Sequence, residues 1–176
     1  MKTCKICRVK FTPSFSTLQP TCTSPLCILK WAKKVDEKKG KREVKAMRER
    51  QKSISQWRRE LQQVFNKFIR ERDKGKGCIS CGAKLQGKYD AGHYYSVGSY
   101  PNLRFNEDNC HGQCVHCNQH LHGNLLEYQI GIIKRIGKHR LEELESQRNE
   151  PLRLPLDEIK IKINFYKSKT KEQCTK

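Results

Sequence analysis

The stretch Cys78-Ile-Ser-Cys81-Gly82, then Asp90-Ala-Gly-His93-Tyr94, then Asn109-Cys-His-Gly-Gln-Cys114-Val-His-Cys117-Asn118, decides how the middle of this chain folds. Two C-x-x-C pairs stand at opposite ends of a roughly 40-residue segment, a spacing at which four thiolates can close one tetrahedral zinc site. The segment holds too few apolar residues to fold unaided, so the metal would fold it and fix His93, Asn109 and Asn118 relative to one another. A histidine and two asparagines held beside a knuckle serve no structural need. They suggest a second, catalytic metal and phosphodiester hydrolysis.

Outward from that cassette, the composition points the same way. The chain has 176 residues, of which 35% are hydrophobic, so one large core is not expected. Ten cysteines are available to staple small cores with metal. The net charge of +19, from 37 Lys+Arg against 18 Asp+Glu, exceeds what solubility requires and favours a polyanionic partner, DNA or RNA. Binding of that kind weakens steeply with salt, because each neutralised phosphate releases counterions. The opening Met1-Lys-Thr-Cys4-Lys-Ile-Cys7 is not followed by an apolar signal region, and no apolar run is long enough to span a membrane. The expectation is a cytoplasmic protein with reduced cysteines, where paired thiols bind zinc rather than form disulfides.

Four regions are expected. Residues 1–29 carry Cys4, Cys7, Cys22 and Cys27, a second zinc knuckle, serving either as a contact module or as a cap on the next helix. Residues 30–76 hold 18 Lys/Arg, 7 Asp/Glu and no proline, and read as a basic helical arm with a possible interruption at Gly40. Within it Ile54, Trp57, Leu61, Val64, Phe65, Phe68 and Ile69 form one apolar stripe, which must pack on the C-terminal helices or on a second subunit. Residues 77–124 are the cassette. Residues 125–176 hold a helix reaching to about 147, with Gly131 and Gly137 weakening it, then Pro151 and Pro155, then a last helix capped by Asp157 and a frayed basic tail from Lys167. Cys110 and Cys174 fit neither knuckle and read as free thiols.

Hydrolysing a phosphodiester takes a base to activate water, a cation to neutralise the phosphoryl oxygens, and help for the departing oxygen. A neutral imidazole suits the first task and an asparagine carbonyl can orient it. A hard cation such as Mg²⁺ takes carboxylate and amide oxygens.

The order C-x-x-C, a histidine shortly after an acidic residue, and N-x4-C-x-x-C-N resembles the HNH (His-Me finger) nucleases. The resemblance implies an α+β, mainly helical chain built on a ββα-metal core: two antiparallel strands and a helix around a catalytic metal. The first strand would carry Asp90 to Tyr95. The second would lie at Leu103–Phe105 or by the turn near Asn109. The helix would begin near Cys114, with Asn118 and His122 one turn apart on one face. By the same resemblance His93 is the general base, Asn109 orients it, and Asn118 and His122 ligate Mg²⁺ or Mn²⁺. In the usual pattern an acidic ligand directly precedes the histidine. Here Gly92 stands there and Asp90 lies three back, so Asp90 reaches the metal by another path or stands behind it. His116 and His120 read as surface or phosphate contacts.

The N-terminal C-x-x-C…C-x4-C knuckle, the basic helix, Asp90-Ala-Gly-His93-Tyr94 and the closing C-x-x-C-N together resemble the phage NinG/Rap recombination protein family, across almost the whole chain. That resemblance implies a phage-encoded endonuclease for branched DNA, namely Holliday junctions and D-loops. Two symmetric nicks would suit a homodimer, with the Ile54–Ile69 stripe as candidate surface. The competing readings are a non-enzymatic zinc-knuckle DNA-binding accessory factor and an HNH nicking or homing enzyme on duplex DNA.

Overall fold

The computed structural model describes residues 1–174, and the side chain of Cys174, expected to be a free thiol, lies outside that description. The chain divides into two compact units, residues 1–52 and residues 53 onward.

In the first unit β1 (Lys2–Thr3) and β2 (Lys10–Phe11) pair antiparallel. The turn between them is closed by Arg8 N–H donating to the Cys4 carbonyl at 3.0 Å, with Arg8 in the left-handed region at φ 62°. α1 (Pro25–Gln51) starts on a proline at its first turn, where the missing N–H is harmless, and runs unbroken through Gly40. Cys27 is its one buried residue among those described. The break in the long helical region falls instead at Lys52–Ser53.

The second unit opens on α2 (Ile54–Arg72). Ser53 and Gln56 form a reciprocal capping box there: Ser53 N–H donates to Gln56 Oε1 at 2.8 Å, and Gln56 N–H donates to Ser53 Oγ at 3.3 Å. The apolar stripe lies in one core with Phe105, Cys110, Leu154 and the last helix, α5 (Leu156–Cys174), through Ile159, Ile163 and Tyr166. The stripe is therefore spent inside the chain and is not a dimer surface; only Ile54, 51% exposed, is left at its edge. α5 starts at Leu156, so Asp157 sits in its first turn, and it continues as helix through the stretch expected to fray from Lys167.

Between these helices β3 (Tyr89–His93) pairs antiparallel with β4 (Cys110–Cys114), running from Tyr89↔Cys114 to His93↔Cys110. Leu103–Phe105 is not the second strand: it belongs to a 3₁₀ turn, Pro101–Phe105, opened by a proline. After β4 comes a single π-helical turn, His116–His120, rather than a helix. His122 (φ 48°), Gly123 (φ 94°) and Asn124 (φ 45°) then turn the chain into α3 (Leu125–Ile136). Asn118 and His122 thus do not share a helix face. Gly137, at φ 87°, separates α3 from α4 (Lys138–Gln147), so the expected single helix is two. Gly131 interrupts nothing; a methyl there would overlap the Ile79 carbonyl, so glycine lets the knuckle loop lie against α3. Tyr128, Ile132, Leu141 and Leu144 close a second core over Ile79 and Leu103.

Phe65 is fully buried in the first core and Ile54 is not. Phe65→Ala should cost about 3–5 kcal/mol, and Ile54→Ala less than about 0.5 kcal/mol. Urea denaturation of the zinc-loaded protein reads both.

Candidate functional site

The four sulfurs of Cys78, Cys81, Cys114 and Cys117 lie within 4.8 Å of one another, as do those of Cys4, Cys7, Cys22 and Cys27. Tetrahedral zinc with Zn–S bonds of about 2.3 Å places its sulfurs about 3.8 Å apart. Cys81 and Cys114 stand at 3.8 Å, and so do Cys7 and Cys22. Both clusters can hold zinc. The central one is also prepared by donors to sulfur: Cys114 N–H to Cys78 at 3.3 Å, Cys117 N–H to Cys114 at 3.4 Å, and Asn124 Nδ2 to Cys117 at 3.6 Å. Burial acts to raise the Cys78 thiol, but the N–H groups of Cys114, Cys81 and Ser80 outweigh it and bring it down to about 7. Burial pushes Cys117 up to about 12.

One buried charge pins this cassette to α2, and sequence reasoning missed it. Asp73 is fully buried at the end of α2. Arg72 donates to both its oxygens, Nε and Nη2 each at 2.9 Å, and the Gly112 N–H donates to Oδ2 at 2.8 Å. Arg72 also donates to the carbonyls of Glu107 at 3.0 Å and Cys110 at 2.8 Å. Burial would raise the Asp73 carboxyl, but the Arg72 guanidinium and the Gly112 N–H hold it far below the carboxylate range. His111 Nδ1 is 3.8 Å from Asp73, too far for a hydrogen bond, while Arg72 Nη2 at 3.0 Å donates to it. His111 is therefore neutral, with its proton on Nε2 donated to the Asp108 carbonyl at 3.0 Å. The only hint in the sequence is that an Arg-Asp pair ends an amphipathic helix.

His93 sits at the end of β3. Its Nε2–H donates to the Arg104 carbonyl at 3.0 Å, leaving Nδ1 as the basic nitrogen, 3.8 Å from the thiol of Cys110. Cys110 is free and wholly buried, and burial pushes its thiol well up. Burial also lowers the pKa of His93, with Arg104 contributing in both directions. Arg104 is held in turn by Nε donating to Gln62 Oε1 at 2.7 Å. Asn109 does not touch the imidazole. Its Oδ1 accepts from Tyr95 N–H at 2.7 Å, and its Nδ2 donates to the carbonyls of Tyr95 at 3.0 Å and Leu103 at 3.1 Å. It clamps the chain just beyond His93 and positions the histidine only through backbone.

Asp90 and Asn118 do meet. Asp90 Oδ2 accepts from Asn118 Nδ2 at 2.9 Å and from Gln119 Nε2 at 2.7 Å. Strand alternation sets Asp90 on the face of Gly92, Gln113 and His111, and His93 on the face of Ala91 and Cys110 that packs toward α2. A side chain at 92 would displace the Gln113 amide, because a Cβ there overlaps Gln113 Oε1. That Gln113 oxygen is buried and finds no partner among the described residues, while its Nε2 donates to Ser80 Oγ at 2.8 Å and to the Gly123 carbonyl at 2.6 Å. His122 is exposed beyond the turn, and His116 and His120 are exposed with rings 5.9 Å apart. Among the described residues, the two cysteine clusters are the groups of three or more His, Cys, Asp or Glu that converge. Asp90 is the one carboxylate at this place among the described residues, and Asn118 turns its Nδ2 rather than its Oδ1 toward it.

A family model described as "Bacteriophage Lambda NinG protein" matches residues 1–175. The chain belongs to the NinG family. It is 37% identical to "Protein ninG" of Escherichia phage 933W over 185 residues, covering 96% of this chain and 92% of that one. It is 46% identical to "Protein ninG" of Escherichia phage lambda over 118 residues, 67% of this chain and 57% of that one. The Salmonella phage P22 NinG protein is 44% identical over 118 residues, 67% of this chain and 58% of that one, so the matches span little more than half the length of the lambda and P22 proteins. No solved structure matches the chain. No helix among the described residues is long and apolar enough to cross a membrane.

Purified under reducing conditions, the protein should carry two zinc ions per chain. Cys117→Ser should carry one, read by elemental analysis, and full retention of both ions would refute the central site. Asp73→Asn leaves Arg72 without its charge partner and should cost about 3–5 kcal/mol. The unfolded chain protonates His93 and His111 more readily than the fold does, since both lie below their ordinary 6.5 when folded. Stability should therefore be full above about pH 6.5 and decline as pH falls below it. Asp73 adds a further loss below its ordinary 3.8. Thermal melts across that range check both stages.

Proposed function

We propose that this protein is a metal-dependent DNA endonuclease of the HNH type that hydrolyses phosphodiester bonds in branched DNA. The observation that carries the reading is the state of His93: neutral, fixed in one tautomer by the Arg104 carbonyl, with its basic Nδ1 meeting only the Cys110 thiol at 3.8 Å among the described residues. It stands on a two-stranded ribbon whose other face joins Asp90 to Asn118, and a short helical turn follows the second strand. Asp90 and Asn118 would hold Mg²⁺ or Mn²⁺. When bound, the ion neutralises charge on the phosphoryl oxygens and on the departing oxygen. His93 accepts the proton of the attacking water through Nδ1, which has to open toward the DNA from beside Cys110. Asn109 keeps residues 94–95 from drifting, and so keeps the imidazole in place. The net charge of +19 holds the polyanion. The preference for branches comes from the family resemblance alone. A homodimer would account for paired nicks at a junction and must use a surface other than the buried stripe of α2.

One observation favours the second reading, a zinc-knuckle DNA-binding accessory factor without enzymatic activity. Asp90 and His93 lie on opposite faces of β3, and Asp90 Oδ2 already accepts two amide hydrogen bonds.

A cleavage assay separates them, using four-way junction, three-way junction and linear duplex of matched length with Mg²⁺ or Mn²⁺. The endonuclease reading predicts cutting of the branched substrates, reduced at least about 100-fold in His93→Ala, the scale of a lost general base, with DNA binding kept. Binding of all three without cutting, unchanged in His93→Ala, would make the protein an accessory factor.

A further inference from the structure

The first unit carries a cleft that the zinc knuckle and α1 build together. Its volume is about 930 Å³. One wall is the knuckle turn, with Lys5 and Arg8; the other is a face of α1, with Trp31, Lys34, Lys38 and Arg42. The α1 residues recur at three- and four-residue intervals, which sets them on one side of the helix. Asp36, Glu37 and Glu43 of the same helix lie outside the lining, and no acidic side chain is in it. The knuckle wall is stiff, because Cys4 and Cys7 belong to a four-sulfur cluster and Lys5 N–H donates to the Pro20 carbonyl at 3.0 Å.

Trp31 is the telling residue. It is only half-buried, yet it belongs to no hydrophobic core cluster, and Lys5 Nζ rests 5.2 Å from its ring centre. A solvated basic helix face needs no tryptophan. A partly exposed aromatic face sharing a cleft with lysines and arginines is instead the arrangement that takes an unpaired base on the ring and its backbone on the cations. A duplex keeps its bases stacked inside and cannot offer one to Trp31.

We propose that this cleft is a binding site for single-stranded DNA, with Trp31 stacking an unpaired base and Lys5, Arg8, Lys34, Lys38 and Arg42 holding the flanking phosphates. The inference rests on the nucleic-acid reading of the protein but not on its catalysis. It gives the N-terminal knuckle a role of its own, engagement of the unpaired strand that a D-loop exposes.

The test is binding of the full zinc-loaded chain to fluorescent oligo(dT) and to blunt duplex of equal length, by anisotropy, at several salt concentrations. Trp31→Ala should weaken oligo(dT) binding by about tenfold or more, as loss of one stacked base does. Trp31→Phe, which keeps a π-face, should recover most of it, and duplex binding should change less than about twofold in both variants. The double charge reversal Lys34→Glu/Lys38→Glu, on an exposed helix face, should weaken oligo(dT) binding and flatten its salt dependence, with two zinc ions retained as proof of folding. Equal losses on oligo(dT) and duplex, or Trp31→Phe as weak as Trp31→Ala, would overturn the proposal while leaving DNA binding intact. Wild-type protein that binds neither probe would overturn the nucleic-acid reading itself.

Discussion

Four sulfurs, from Cys78, Cys81, Cys114 and Cys117, converge at the end of the β3–β4 ribbon, apart from the two hydrophobic cores. The cluster around them contains Leu85 and Tyr89 as its only apolar residues that are not cysteine. Without a metal there is too little apolar surface here to offset the entropy of ordering the chain. With one, the C-x-x-C turn is tied to the end of β4, and β4 aligns β3 along its length. Asp73 then fixes the ribbon from the other side by accepting the Gly112 N–H at the middle of β4. Because the aspartate is wholly buried, its position tolerates little adjustment: Arg72 must stay, and Arg72 also holds the carbonyls of Glu107 and Cys110. The location of His93 follows from these two anchors.

Much of this was legible because metal spacing and helix periodicity are local signals. Cys4, Cys7, Cys22 and Cys27, like the central four, announce themselves by their intervals, and both sets converge. The stripe from Trp57 to Ile69 marked α2, although its partner could not be named from the sequence. What failed to show was non-local or depended on one backbone angle. Asp73 looks like one more charge in a basic region, and its role exists only because β4 folds back onto it. Gly40 and Gly131 resembled Gly137 in the sequence, yet only Gly137 takes a positive φ. Asn118 and His122, four apart, suggested a shared helix face, which the positive φ at His122 removes. Asn109 was expected on the imidazole and proves to hold backbone.

The HNH resemblance would set an acidic residue directly before the histidine, and glycine stands there instead. Gly92 is pressed against Gln113, and Asp90, two residues earlier on the same face, reaches Asn118 instead. A cation held by Asp90 and Asn118 and a base at His93 would thus lie across the ribbon from one another. The first unit carries a basic cleft of its own, so the proposed DNA binding there can be tested apart from the proposed cleavage.

The measurement that tests the proposed metal site most directly is paramagnetic broadening by Mn²⁺ of the amide NMR spectrum of zinc-loaded, isotopically labelled protein. The account predicts that the Asn118 side-chain amide and the backbone amides of Asp90 and Ala91 disappear first, at Mn²⁺ concentrations that leave α4 and α5 untouched. Broadening that spares the ribbon and centres on the acidic surface of α4, at Glu142 and Glu143, would contradict it.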